Sequence, residues 1–220
     1  MDLQALWLTL KLAALTTAVL AAVGLPLAYW LTVTRLPGKW LIESVVALPL
    51  LLPPTVLGFY VLWATGPRSP LGTGFARLTG SGLPFTFGGI LLASVLFNLP
   101  FAVRPFVAAF STVDRRLVEA AWCLGASRFR TFWRITLPLA SAGVLTGLVL
   151  TFAHTVGEFG VVLMVGGNIP GVTRTLSISI YDDVQALDYA RANQTALALI
   201  VFAFVVLALV HALHRRTLSL

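Results

Sequence analysis

Charge is scarce in this chain. Only 10% of its 220 residues are Asp, Glu, Lys or Arg, whereas 58% are apolar. Soluble globular domains carry about 25% charged residues. A soluble fold could not hide so much apolar surface, so lipid must be the solvent for much of the chain. Cysteine is nearly absent too. The lone Cys123 excludes an intramolecular disulfide and a zinc cluster, and is silent on redox compartment. No Gly-x-x-x-x-Gly-Lys-Ser/Thr phosphate loop occurs, so the chain is not expected to bind ATP itself. No His/Cys/carboxylate group has metal-ligand spacing, and no Gly-x-Ser-x-Gly elbow is present. Neither a metal site nor a catalytic residue is expected. Acidic residues are also few, 8 against 15 Lys plus Arg, for a net charge of +7. The basic residues sit in short loops between apolar stretches, which is how membrane proteins are oriented. Lipid, not nucleic acid, is the expected surrounding.

A helix needs about 20 mostly apolar residues to cross a bilayer. Five segments qualify, roughly 5–33, 41–65, 87–110, 139–166 and 192–213. The N-terminus, MDLQALWLTLK, has no basic region before a long apolar run, which predicts an uncleaved span. Residues 67–86 are rich in Gly, Pro and Ser and read as a loop. Residues 167–191 open with a turn and then look helical and amphipathic. Either could hide a sixth span, but neither is apolar enough. Arg35, Lys39, Arg115, Arg116, Arg128, Arg130, Arg134, Arg215 and Arg216 fall on one side. Arg68, Arg77, Arg174 and Arg191 fall on the other, with Asp182, Asp183 and Asp188. The richer side is expected to be cytoplasmic, which puts the N-terminus outside and the C-terminus inside. The predicted fold is an all-α, polytopic membrane domain covering 1–220, with about five spans.

The longest cytoplasmic connection carries Glu119-Ala120-Ala121, Gly125, Ser127, Ile135, Leu137 and Pro138. Small Ala120 and Ala121 permit close backbone approach. Gly125 permits a turn at positive φ, and Ser127 can cap a following helix over 128–137. A short helix, a turn and a second helix are expected just below the membrane, shaped to lie in a partner's groove. The arrangement resembles the EAA loop of permeases in binding-protein-dependent ABC importers. That resemblance implies that Glu119, Ala120, Ala121 and Gly125 dock on a cytoplasmic ATPase. It also implies a homodimer, two ATPase copies carrying ATP and Mg, an external binding protein and a bacterial inner-membrane location.

A second resemblance covers nearly the whole chain. His154-Thr155-Val156-Gly157-Glu158-Phe159-Gly160, then Gly167-Asn168-Ile169-Pro170-Gly171 and Ile180-Tyr181, is similar to the molybdate permeases. Leu52-Pro53-Pro54-Thr55-Val56 with Gly58 fits as well. Sulfate permeases share much of this pattern, and tungstate is chemically close to molybdate. The short length and the His-Thr-Val-Gly-Glu-Phe-Gly wording favour the molybdate group, and the implied function is oxyanion import.

Several intramembrane positions are candidates for the pathway or its gate. Pro53 and Pro54 interrupt the second span and free backbone carbonyls, which only protein or a water-filled cavity can satisfy. Thr55 adjoins the break. That region either lines the pathway or only shapes packing. Asn98, before Pro100, is expected chiefly to bond between helices. Glu158 lies about 28 Å from residue 139 at 1.5 Å per residue, which predicts a place near the outer interface. His154, four residues earlier, can pair with it. Glu158 is expected to brace an outer gate through His154 or the amides of the Gly167–Asn168 turn, since a bare carboxylate repels an oxyanion. Gly143 and Gly147 form a small-xxx-small pair for close helix packing. A secondary transporter is the rival class, but no second copy of the Pro-Pro break is visible in the sequence. A membrane-embedded enzyme would need several polar groups converging at one depth, and Glu158, His154 and Asn98 do not obviously do so.

Overall fold

A computed structural model describes the backbone of residues 2–218 and the side chains through residue 208. The described chain is helical, with no strand. Helix α1 (Leu3–Val33) starts at Asp2, whose carboxylate accepts from the amides of Gln4 and Ala5. Helix α2 (Lys39–Ala47) runs into a 3-10 turn over Leu48–Leu50, and α3 (Pro54–Thr65) follows. Then come α4 (Pro70–Thr79) and the long α5 (Phe87–Ser111). The connecting loop holds α6 (Arg115–Cys123) and α7 (Arg128–Thr131). Helices α8 (Leu137–Val156), α9 (Gly160–Gly166), α10 (Leu176–Gln185) and α11 (Tyr189–Leu218) complete the chain.

Four helices are long and apolar enough to cross a membrane: Leu3–Val33, Phe87–Ser111, Arg128–Val156 and Tyr189–Ala208. The bent pair Lys39–Leu50 and Pro54–Thr65 is long and apolar enough only when its two helices are taken together, as a fifth, broken span or a re-entrant loop. At 10 residues each, α4 and α10 are about 15 Å long, too short to be a sixth. The two ends of the bundle differ in charge. Tyr29, Phe110 and Phe132 form a ring cluster at one end, with Tyr29–Phe132 centroids 4.8 Å apart. The basic loop 115–134 belongs to that end. At the other end Lys11 lies 4.5 Å over the Phe87 ring, and Thr9 Oγ1 accepts from the amide of Leu176.

Three expectations need correction. The segment 41–65 is not one straight span but bends by 109° at 51–53. Two prolines in succession cannot donate, so the first helix closes in a 3-10 turn and Pro54 begins a new one. The segment 139–166 likewise ends at Val156 and restarts at Gly160, because Phe159 leaves helical geometry, at φ −128° and ψ −68°, while the Glu158 side chain bonds to α5. The stretch 67–86, read as a loop, contains α4. Its punctuation was present in the sequence: Ser69 Oγ accepts from the Gly72 amide, Pro70 opens the helix, and Gly80 ends it at φ 76°.

The core follows α5. Leu20, Ala28, Val103, Phe106, Ala140 and Val144 pack around it on one side, and Leu12, Ile90, Val161 and Val165 on the other. Helices α5 and α8 run antiparallel in close contact, as the Gly143/Gly147 pair predicts. A Cβ at Gly143 would lie 2.6 Å from Ala109 Cβ, and one at Gly147 would lie 2.8 Å from Phe106 Cε1. Both clash, so Gly147→Val is expected to destabilise the protein by about 1–3 kcal/mol. A thermal melt of the purified protein in detergent checks this; an unchanged midpoint would mean that the helices part without penalty.

Candidate functional site

The loop between α5 and α8 is built around one stop signal. Asp114 caps α6 by accepting from the Arg116 amide. The helix ends in a Schellman motif: the amide of Ala126 donates to the Ala121 carbonyl at 3.0 Å, and that of Gly125 to the Trp122 carbonyl at 3.0 Å. The motif requires a left-handed residue, and Gly125 supplies it at φ 81°. Open space surrounds its Cα, so backbone conformation alone selects glycine there. Ala121 is buried, whereas Glu119 and Ala120 are exposed; Glu119 pairs with Arg115 at 2.9 Å.

Ser127 caps the next helix, accepting from the Arg130 amide at 3.3 Å. That helix does not stop at 137. It continues through a π-helical stretch, Phe132–Thr136, into α8 as one rod over Arg128–Val156. The π turn has a local cause. Pro138 has no amide hydrogen and crowds the carbonyl of Arg134, so the backbone shifts register and the Leu137 amide bonds Phe132 instead. Ile135, Leu137 and Pro138 thus form the joint between loop and span.

The far end of the rod meets a buried polar chain. Glu158 is 5% exposed. Its Oε2 accepts from Ser94 Oγ at 2.8 Å and from Asn98 Nδ2 at 3.1 Å, while Oε1 has no partner among the described residues. Asn98 Oδ1 faces His154 Nδ1 at 2.8 Å. The His154 ring stacks on Phe101 at 3.7 Å between centroids. Asn98 therefore makes the helix–helix bonds expected of it, and it stands between His154 and Glu158, which do not pair directly. Glu158 lies opposite Ser94 and Asn98, about 10 and 16 Å along α5 from its Phe87 end, at a height set by the α5–α8 contact at Gly143 and Ala109.

The two helix breaks adjoin each other. A Cβ on Gly160 would lie 3.1 Å from Pro54 Cβ and 3.6 Å from Thr55 Cγ2, and one on Gly58 would lie 2.7 Å from Met164 Cβ. Pro54 and Thr55 thus face the start of α9, two residues after Glu158, and Pro53 is the cap that precedes them. A second break was not visible in the sequence, since Gly157-Glu158 sits within an apolar run. Irregular backbone at membrane depth occurs where protein or a cavity satisfies it.

Gly167 and Asn168 lie elsewhere, in a turn at the end opposite the basic loop. Both have positive φ, 65° and 58°. Asn168 Nδ2 donates to the Asp182 carboxylate at 2.9 Å, and Arg174 Nε donates to Asn168 Oδ1 at 2.8 Å. Arg174 also pairs with Asp182 at 3.3 Å. This triad pins the turn to α10, separately from the Glu158 chain. Sequence reasoning passed over Ser94, which carried no signal.

A family model for the binding-protein-dependent transport system inner membrane component matches residues 10–219. The chain is 51% identical to the molybdenum transport system permease protein ModB of Azotobacter vinelandii, over 94% of this chain and 91% of that one. It is 32% identical to the "Probable sulfate transport system permease protein" CysT of Zygnema circumcarinatum, over 99% of this chain and 75% of that one. Its fold is similar to a chain of a bacterial alginate ABC transporter, solved in complex with an alginate pentasaccharide-bound periplasmic protein. There the TM-score is 0.79 at 19% identity, over 97% of this chain and 78% of the other. With its apolar spans, its interhelical loop and a match over nearly its whole length, the chain belongs to the family of inner-membrane components of binding-protein-dependent transport systems.

Proposed function

We propose that this chain is the permease subunit of an ATP-driven importer of molybdate in the bacterial cytoplasmic membrane. The substrate reading rests on the 51% identity to the ModB chain against 32% to the sulfate permease. The mechanical reading rests on one observation: a continuous helix over Arg128–Val156 joins the loop after Gly125 to the residues around Glu158. A displacement of the loop by a docked ATPase therefore reaches His154 with no hinge between, apart from the π turn.

In this reading residues 1–220 form one permease domain that pairs with a second copy. Two ATPase subunits bind the Glu119–Gly125 loops and carry ATP and Mg, and an external oxyanion-binding protein docks on the side of α4 and the Gly167–Asn168 turn. The N-terminus lies outside and the C-terminus in the cytoplasm; Arg215 and Arg216, counted toward that orientation, lie beyond the described side chains. The chain itself holds no nucleotide and performs no covalent chemistry. ATP at one face and the loaded binding protein at the other bias a two-state change in helix packing. Glu158 acts as a brace, held by Ser94 and Asn98 beside the paired breaks at 51–53 and 157–159.

Affinity purification of the tagged permease from its native membrane tests the assembly. An ATPase subunit should co-purify at about one per permease chain. A permease that purifies alone, yet still supports uptake, would contradict the proposal. Sulfate is the second reading, favoured by the 32% identity over nearly the whole chain. Uptake measured with molybdate, tungstate and sulfate in competition separates the two.

A further inference from the structure

The exposed face of the rod over Arg128–Val156 changes character along its length. Its first turns present Phe129, Arg130, Trp133 and Arg134, and its next turns present Leu139 and Leu145. The exposed pairs 129/130, 133/134 and 138/139 are spaced by four and then by five. On the opposite face the buried Thr131, Thr136 and Ala140 are spaced by five and then by four. Each stripe takes one five-residue step, where the π stretch Phe132–Thr136 inserts an extra residue and keeps both stripes in line. One continuous exposed stripe therefore runs from cations and aromatic rings to aliphatic side chains.

The Phe129 and Trp133 rings meet edge to face, with centroids 6.2 Å apart. Arg130 and Arg134 beside them are exposed and belong to none of the ion pairs among the described residues. Neighbouring cations are already engaged. Arg115 pairs with Glu119, Lys39 pairs with Glu43, and Arg128 lies 5.6 Å from the Trp122 ring centroid. A second copy of the chain pairing through this stripe would set arginine against arginine. A water-soluble partner would leave Leu139 and Leu145 uncovered. An acidic phospholipid matches the whole stripe. Its phosphate and acidic headgroup suit the two guanidinium forks, its interfacial layer suits the rings, and its acyl chains suit the leucines. A zwitterionic headgroup brings a cation of its own and matches less well.

We propose that Phe129, Arg130, Trp133 and Arg134 form a binding site for the headgroup of an acidic phospholipid, in the leaflet at the basic end of the bundle. The lipid's acyl chains lie along Leu139 and Leu145. The site goes beyond the transport reading and does not depend on it. Native mass spectrometry of the full-length chain, delipidated in detergent, tests it. Phosphatidylglycerol and phosphatidylcholine with identical acyl chains are offered in equal amounts. Phosphatidylglycerol should be retained about tenfold better, and the preference should shrink as ammonium acetate is raised. The double variant Arg130→Gln/Arg134→Gln should lose about fivefold or more of that preference, with phosphatidylcholine retention unchanged. Phe129→Ala/Trp133→Ala should weaken both lipids and leave their ratio alone. Arg68→Gln/Arg77→Gln, at the other end, should behave as the unaltered chain. An arginine double variant that keeps the full preference would overturn the proposal. If that variant instead sheds an ATPase subunit that co-purifies with the native chain, the two arginines belong to a protein interface. Should the double variant fail to fold, the unaltered chain still decides: equal retention of the two lipids, or a preference indifferent to salt, overturns the site.

Discussion

Glu158→Ala should nearly abolish transport, whereas Glu158→Gln should retain most of it. In the native protein Oε2 accepts from both Ser94 and Asn98 inside the bundle. Alanine removes that acceptor, strands two buried donors and leaves a void beside the helix break. Each stranded group is worth about 1–3 kcal/mol, and the void adds to that. The expected result is a marked fall in melting temperature together with a loss of uptake of more than about tenfold. Glutamine places a carbonyl oxygen where Oε2 was, and its amide replaces Oε1, which has no partner among the described residues. Both donors stay satisfied, and the new amide N–H groups, buried without an acceptor among the described residues, cost a smaller fall in melting temperature than the void and stranded donors of Ala. Melting curves and uptake assays of the two variants, read side by side, decide the matter. If Gln is as inactive as Ala, and transport also collapses with the proton gradient, the carboxylate carries protons and the bracing role is wrong.

Gly125→Val should separate ATP hydrolysis from transport. The residue sits at φ 81°, where a β-branched side chain is strongly disfavoured, and nothing lies within 4 Å of its missing Cβ. Valine therefore acts on the loop's path and not on packing. The Ala126–Ala121 and Gly125–Trp122 bonds that close α6 must break or distort. The helix then loses its fixed angle to the rod that begins at Arg128. The spans, which do not depend on this turn, should still form, so the protein should reach the membrane at its normal level. The expected result is ATPase activity with uptake reduced about tenfold or more, the backbone strain being about 1–3 kcal/mol. Gly125→Asn is the control, because asparagine tolerates the left-handed region, and it should keep much of the coupling. Normal uptake in Gly125→Val would mean that this turn does not set the docking geometry.

The legible and illegible parts of this chain divide by physical cause. Apolar length is a local property, so the four long membrane helices could be read directly, and so could the Gly125 turn and the close approach at Gly143 and Gly147. The break at Gly157–Phe159 could not, because a single carboxylate within an apolar run does not announce that its partners lie 60 and 64 positions away. Helix α4 was missed for a different reason: Gly, Pro and Ser were weighed as loop composition, although Ser69, Pro70 and Gly80 stood in capping order.

The central claim is that ATP hydrolysis on a partner drives an oxyanion through this chain. Its most direct test is molybdate accumulation in sealed proteoliposomes that contain the permease with its ATPase, the binding protein being supplied outside and ATP inside. Accumulation should require all three components and ATP, should persist when ion gradients are dissipated, and should yield to excess tungstate at lower concentration than to excess sulfate. Uptake that proceeds without ATP and follows an imposed proton or sodium gradient would contradict the account.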